Sequence, residues 1–207
     1  MYFATIVIAL LAHASLVYPL LLKTLTGLKP LMFLRKMREP MLVAFSTSSS
    51  GATLPVTLRT VEHRIGVNNN VAAFAVPLGA TINMDGTAIM QGVATVFIAQ
   101  FFGYQLGVDA YLMVILTATL ASIGTAAVPG VGLITLTLVL DQVGLPVEGI
   151  GLIIGVDRLL DMLRTVVNVT GDGTVATIVA KSEGQLNVEM LQDPTAGAVI
   201  KDQSASL

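Results

Sequence analysis

The sequence predicts an all-α, multi-pass membrane protein. Its architecture is an inverted repeat of a re-entrant helical hairpin plus a broken transmembrane helix. Three observations lead there. First, 54% of the 207 residues are hydrophobic and only 12% charged, with a mean hydropathy of +0.82; soluble domains carry about 25% charged residues. Second, several apolar stretches are interrupted near their midpoints by glycine, serine, threonine or asparagine. Third, lysine and arginine are confined to a few places. The absence of cysteine excludes disulfide, zinc-thiolate and thiol-nucleophile chemistry. A net charge of −2 offers no basic surface for nucleic acid. His13 and His63 stand too far apart in sequence to read as a metal cluster.

Residues 1–22 read as a transmembrane helix. The uncharged apolar run from Tyr2 to Leu22 is long enough to span, and it lacks the basic start and small-residue cleavage site of a signal peptide. His13 within it reads as a packed or capped polar group. A basic loop follows, with Lys23, Lys29, Arg35, Lys36 and Arg38.

Residues 30–64 read as the first re-entrant hairpin. Two apolar arms flank the tip STSSSGA, residues 46–52, and each is too short to cross alone. Residues 71–104 read as a helix broken at GATINMDGT, 79–87. Open backbone at mid-membrane depth survives only where it lines a cavity or binds something. Residues 109–143 repeat the hairpin pattern around SIGTAAVPGVG, 122–132. Residues 148–181 read as a polar transmembrane helix, and 184–207 as a poorly ordered cytoplasmic tail.

In the polar helix Asp157, Asp161, Arg164, Thr165, Asn168 and Asp172 recur every three or four residues, so they share a face. A soluble helix with one solvated face is the competing reading, and the composition argues against it. Within a bilayer each charge at mid-depth costs about 2.5–3.5 kcal/mol. Asp157 reads as structural, pairing Arg158 or the backbone.

Apart from Arg158 and Arg164, the basic residues lie after the first span, at the base of the first hairpin or in the tail. Positive charge marks the cytoplasmic side. The first hairpin therefore dips in from the cytoplasm and the second from outside, with the site at the midplane. That is a transporter plan. No G-x-S-x-G turn makes Ser48–Ser50 a hydrolase nucleophile.

Half-helices starting after each tip offer free N–H groups to a carboxylate. Unwound carbonyls around Gly79–Asn83 and Ser122–Thr125 suit a small hard cation such as sodium. Asp85, Asp161 and Asp172 against Arg164 leave an excess of two negative charges, which bound cations would offset. Arg164 supplies a planar fork for a carboxylate and Asp161 can receive an ammonium. A ligand with both an amine and a side-chain carboxylate satisfies both, which points to aspartate or glutamate.

The motifs SSSGATLP (48–55), GATINMDGT (79–87), SIGTAAVPGVG (122–132) and DMLRTVVNVTGD (161–172) are similar to those of the dicarboxylate/amino acid:cation symporter family, the sodium-coupled glutamate/aspartate transporters. The resemblance covers about residues 1–185 and implies that 1–183 form part of a glutamate-transporter-like transport domain. By this resemblance Asp161 holds the substrate amine and Arg164 its side-chain carboxylate. Asn168 with Ser48, Ser49 and Ser50 holds the main carboxylate. Thr87, Thr165, Ala127, Val128, Pro129, Gly130 and Gly132 complete the pocket. One sodium site uses Gly79, Asn83, Asn168 and Asp172. A second uses backbone at Thr81, Ser122, Ile123 and Thr125. A third, around Asn83 and Asp85, calls on an earlier helix that this sequence does not contain. The second hairpin is the extracellular gate.

The family resemblance also implies no cofactor beyond transported sodium, a multi-pass location in a bacterial inner membrane, and a homotrimeric full-length parent. Full family members are about twice this length, so N-terminal scaffold helices are missing and the chain is expected to be a fragment that does not transport alone. Asp161, Asp172 and Arg164 together favour an acidic amino acid. A proton-coupled or C4-dicarboxylate symporter of the same family, and a non-transporting truncated product, are the alternatives.

Overall fold

The structure, a computed structural model, describes residues 1–123 and 126–197. Every regular element among them is helical, and the only strand-like feature is one isolated antiparallel bridge, Val67 to Leu186.

The chain opens with a continuous helical rod, Tyr2–Thr26, with an 18-residue stretch of mean hydropathy 2.1, the one described helix long and apolar enough to cross a membrane by length and composition. Its two α-helical parts are α1, Tyr2–Ala12, and α2, Tyr18–Thr26, joined by a π-helical turn, His13–Val17. The turn has a consequence for the site. A wide turn brings residues five apart onto one face, so His13 and Tyr18 point the same way. Gly27, at φ +71°, ends the rod with its N–H on the Lys23 carbonyl, a left-handed stop that suits glycine.

Helix α3, Pro30–Lys36, leads into a helical pair: α4, Arg38–Thr47, and α5, Ser50–Thr60, extended by a π turn, Val61–Ile65. Between α4 and α5 the chain turns at Ser48, which sits at φ +52°, a left-handed conformation that a non-glycine residue rarely adopts. Ser49 caps α5 by accepting the Ala52 N–H at 3.0 Å. Arg59 and Arg64 both pair with Glu39, fastening the base of the pair.

Helix α6, Asn69–Ile82, stops at Asn83–Met84, whose backbone is non-helical, and α7, Asp85–Phe101, starts directly afterwards. A second helical pair follows, α8, Val108–Ser122, and α9, Val131–Gln142. A 3-10 turn, Val147–Leu152, then leads to α10, Ile154–Ser182. Helix α10 is the axis of the molecule and packs on α1, α2, α4, α5, α6 and α7. Residues 185–193, which follow it, do not trail away as a loose tail. They fold back, through Leu186 beside Val67 and a short helix α11, Val188–Gln192, whose Leu191 is buried.

Two separate apolar cores result. One joins α1, α7, α8, α9 and the first part of α10, through Ile6, Ile98, Leu136, Leu140 and Leu160. The other joins α2 to α6 and the later part of α10, through Phe33, Met37, Ile65, Val76 and Ala176. Between the cores lies the polar stretch of α10, and the helix break at Asn83–Met84 faces it. Large apolar side chains such as Ile8, Leu16, Phe74, Leu112 and Ile134 point outward.

Candidate functional site

Arg164 is the largest fully buried side chain among the described residues, with 1% of its surface exposed. Its Nε and Nη2 donate to Asp161 Oδ1 at 3.0 and 2.8 Å, and its Nη1 donates to Asp157 Oδ1 at 3.2 Å. The three residues sit on one face of α10 because they are three, four and seven positions apart, within two helical turns. Asp157 therefore pairs with Arg164, not with Arg158 or the backbone as its sequence neighbours indicate. Two buried carboxylates on one guanidinium leave one negative charge in excess. An uncompensated charge of this kind is costly in a low-dielectric interior, and a positively charged group offsets it.

The two helical tips close over this charge cluster. Gly130 N–H, at the start of α9, donates to Asp161 Oδ2 at 2.9 Å. Gly132 carries no side chain where a Cβ would stand 3.1 Å from Arg164 Cζ. From the first tip, Ser49 Oγ donates to Ala127 O at 2.6 Å and Gly51 N–H to the same oxygen at 3.2 Å. Ser48 Oγ is buried without a hydrogen-bond partner.

A cavity of about 20 Å³ remains at the centre, lined by Ser48, Ser50, Thr87, Ala127, Val128, Gly132, Asp161, Arg164, Thr165 and Asn168, with Met84, Ala126 and Val131. It holds little more than one water, which needs roughly 10–15 Å³. A solute the size of an amino acid does not fit in it as it stands. Ser49 and Gly130 stand behind the lining, engaged with Ala127 and Asp161, and Pro129 is exposed at the tip.

Helix α10 continues into a second cluster. Asn168 Oδ1 accepts the Gly86 N–H at 2.8 Å and its Nδ2 approaches Thr87 Oγ1 at 3.4 Å, so it bridges the start of α7 to α10. Asn83 Nδ2 donates to Asp172 Oδ1 at 3.0 Å and to Asn168 O at 3.3 Å. A Cβ on Gly79 would stand 2.8 Å from Asp172 Oδ1. Gly79, Asn83, Asn168 and Asp172 thus come together, offering one carboxylate with amide and carbonyl oxygens. That oxygen-only set suits a hard monovalent cation better than a thiophilic metal.

The residues of the second expected cation site are not joined in the same way. Thr81 and Ile123 are exposed, while Ser122 is buried. Thr81 Oγ1 donates to Leu78 O and Ser122 Oγ to Thr119 O, each within its own helix. Thr125 lies outside the described residues.

Asp85 has partners that neighbouring sequence does not disclose. Its Oδ2 accepts from Tyr18 Oη at 3.1 Å and pairs with His13 Nε2 at 3.0 Å. Tyr18 Oη also reaches Val167 O at 3.1 Å. The π turn that aligns His13 with Tyr18 makes this arrangement. The sequence signal for it is His13 and Tyr18, five apart in an uncharged span.

The site is thus a pocket of paired buried charges, shut by two tips and flanked by a carboxylate-and-amide oxygen cluster. The profile of the sodium:dicarboxylate symporter family matches residues 1–182. The chain is 47% identical over 179 residues to an excitatory amino acid transporter of Caenorhabditis elegans, covering 86% of this chain and 36% of that protein. It is 46% identical over 186 residues to excitatory amino acid transporter 2 of Homo sapiens, covering 88% and 32%. Against excitatory amino acid transporter 4 of Mus musculus it is 40% identical over 214 residues, covering 100% and 38%. The chain belongs to the sodium:dicarboxylate symporter family. It spans about a third of the length of these relatives.

Proposed function

We propose that the chain is the ligand-carrying part of a membrane symporter that couples inward sodium movement to uptake of L-aspartate or L-glutamate. One observation carries this reading: Asp161 and Arg164 lie one turn apart, buried and paired, beneath two tips whose backbone closes the pocket. The pair offers one acceptor for an ammonium and one fork for a carboxylate, the two ends of an acidic amino acid. The cluster that joins Gly79 and Asn83 at the helix break to Asn168 and Asp172, on the next turns of α10, is suited to a sodium ion, bound together with the ligand and reducing the excess negative charge. A second cation site is proposed at Thr81, Ser122, Ile123 and Thr125, and a third at Asn83 and Asp85.

The rod Tyr2–Thr26, the broken helix α6–α7 and α10 are proposed to span the membrane. The pairs α4–α5 and α8–α9 enter it from opposite sides, the second acting as the outer gate. The outward apolar side chains support contact with lipid. The multi-pass location in a plasma membrane and the homotrimeric parent are parts of the same proposal.

Calorimetry on the purified protein tests it. Aspartate should bind in sodium and lose that binding when sodium is replaced by choline. Equal binding in the two media, or succinate binding as well as aspartate, would overturn the reading.

A further inference from the structure

The two helical pairs are held in very different ways. The second, α8–α9, rests on α7 and on the 3-10 turn, and meets α10 mainly at its tip, through Gly130 on Asp161. The first is packed along α10 by both α4 and α5. Its base is also gripped by a segment remote in sequence. Lys36, at the end of α3, is 2% exposed. Its Nζ donates to Arg64 O at 2.6 Å, Met190 O at 2.6 Å and Asp193 O at 2.8 Å. An ammonium has three N–H bonds, and all three are used on carbonyls from three points of the chain.

The backbone around this lysine is stitched as well. Asn187 N–H donates to Gly66 O at 2.8 Å and Asn68 N–H to Gln185 O at 3.0 Å, on either side of the Val67–Leu186 bridge. Gly66, at φ +92°, has its Cα against this segment, where a Cβ would stand 2.6 Å from Asn187 O. Deeper in, Met37 and Phe33 pack against Gly173 of α10.

We propose that Lys36 and residues 185–193 form a clasp that fixes the base of the first helical pair to the end of α10. The Ser48–Ser50 tip then keeps its place relative to Asp161–Asp172 while the second pair opens. Lys36 is a positioning residue here: it lies away from the ligand pocket and acts through α4 and α5. The inference rests on the reading that the second pair is the moving gate.

Hydrogen exchange followed by mass spectrometry, on protein in lipid nanodiscs, tests the clasp. Lys36→Met keeps length and apolar bulk but strands three buried carbonyls, and a stop after Gly184 removes the returning segment. Both changes should raise amide exchange over residues 38–65 by about tenfold or more and leave 108–142 unchanged. Unchanged exchange over 38–65 overturns the proposal, and so does an equal rise in both pairs, which marks general loosening. If Lys36→Met does not fold, Asn187→Pro removes the N–H that meets Gly66 O at a compatible φ of −80° and carries the same two outcomes. The exchange result stands apart from ligand binding. Loss of sodium-dependent aspartate binding in the unaltered protein would refute the transport reading and leave the clasp to its own test.

Discussion

Arg164 and Asp157 are joined across two turns of α10, Nη1 to Oδ1 at 3.2 Å, with both side chains almost fully buried. Because Asp161 already takes the other side of the guanidinium, Asp157 is what keeps that fork from rotating away from the pocket. A hydrogen bond to a charged group is worth about 1.5–3 kcal/mol. Asp157→Ala should lower unfolding stability by about that amount. Arg158→Ala, on the exposed side of the same turn, should leave it unchanged. Thermal denaturation of both variants checks the pair, and equal melting temperatures would remove Asp157 from this role.

On the proposed reading, Arg164 should separate acidic from neutral ligands. Truncating one partner of a buried charge pair costs about 2–5 kcal/mol, so Arg164→Ala should weaken aspartate binding by on the order of a hundredfold or more. A neutral amino acid such as serine needs only the Asp161 side and should be much less affected. Arg164→Lys, which keeps the charge but not the fork, should fall between the two. The same loss for serine as for aspartate would contradict the carboxylate role.

Much of this site was legible in the sequence because helical spacing is a strong constraint. Asp161, Arg164, Asn168 and Asp172 had to share a face, and Asn83 had to lie where helix geometry fails. What stayed hidden depends on contacts between distant segments. Asp157 read as a neighbour of Arg158, although the shared face already set it two turns from Arg164, the partner it takes. His13 and Tyr18 reach Asp85 through a π turn that no hydrophobic period announces. The segment after Gly184 reads as polar tail, since nothing local tells that Lys36 will supply its acceptors with donors. The interrupted stretches at 46–52 and 122–132 marked where chains turn, but not that Ser49 and Gly51 would share one carbonyl, Ala127 O.

Gly79 is a test of the cation cluster. A methyl group there would stand 2.8 Å from Asp172 Oδ1, displacing the carboxylate from Asn83. Overpacking of this kind costs about 1–3 kcal/mol. Gly79→Ala should therefore raise the sodium concentration that half-saturates aspartate binding by about tenfold, roughly 1.4 kcal/mol in that range. Sodium titrations at fixed aspartate check it, and an unshifted midpoint would place the ion elsewhere.

The returning segment carries a pH dependence of its own. Asp193 Oδ1 accepts from Thr195 Oγ1 at 2.7 Å and from its N–H at 2.8 Å. The hydroxyl bond first, then the backbone bond, hold this carboxyl below the usual aspartate range. A carboxyl lowered in the folded state stabilises the turn at neutral pH, and that contribution disappears as pH falls through its folded value. The protection of the Thr195 amide, its exchange rate measured against the intrinsic rate at each pH, should fall on acidification in the unaltered protein. Asp193→Asn should abolish that acid step, and an identical acid response in the variant would assign it to another group.

Ser49 has two tasks that can be separated. Its Oγ caps α5 by accepting the Ala52 N–H, and it latches the second tip by donating to Ala127 O at 2.6 Å. Ser49→Ala removes both, a cap worth about 0.5–2 kcal/mol and a hydrogen bond worth about 0.5–1.5 kcal/mol. Amide exchange should quicken both at the start of α5 and over residues 126–132, the latter about three- to tenfold. Ser49→Asn keeps a good capping oxygen but not a short hydroxyl donor. Its α5 amides should return to the unaltered rate while 126–132 stay fast. If the tip recovers together with the cap, the two tips are coupled through helix α5 alone, and Gly51 N–H is the bond that holds them.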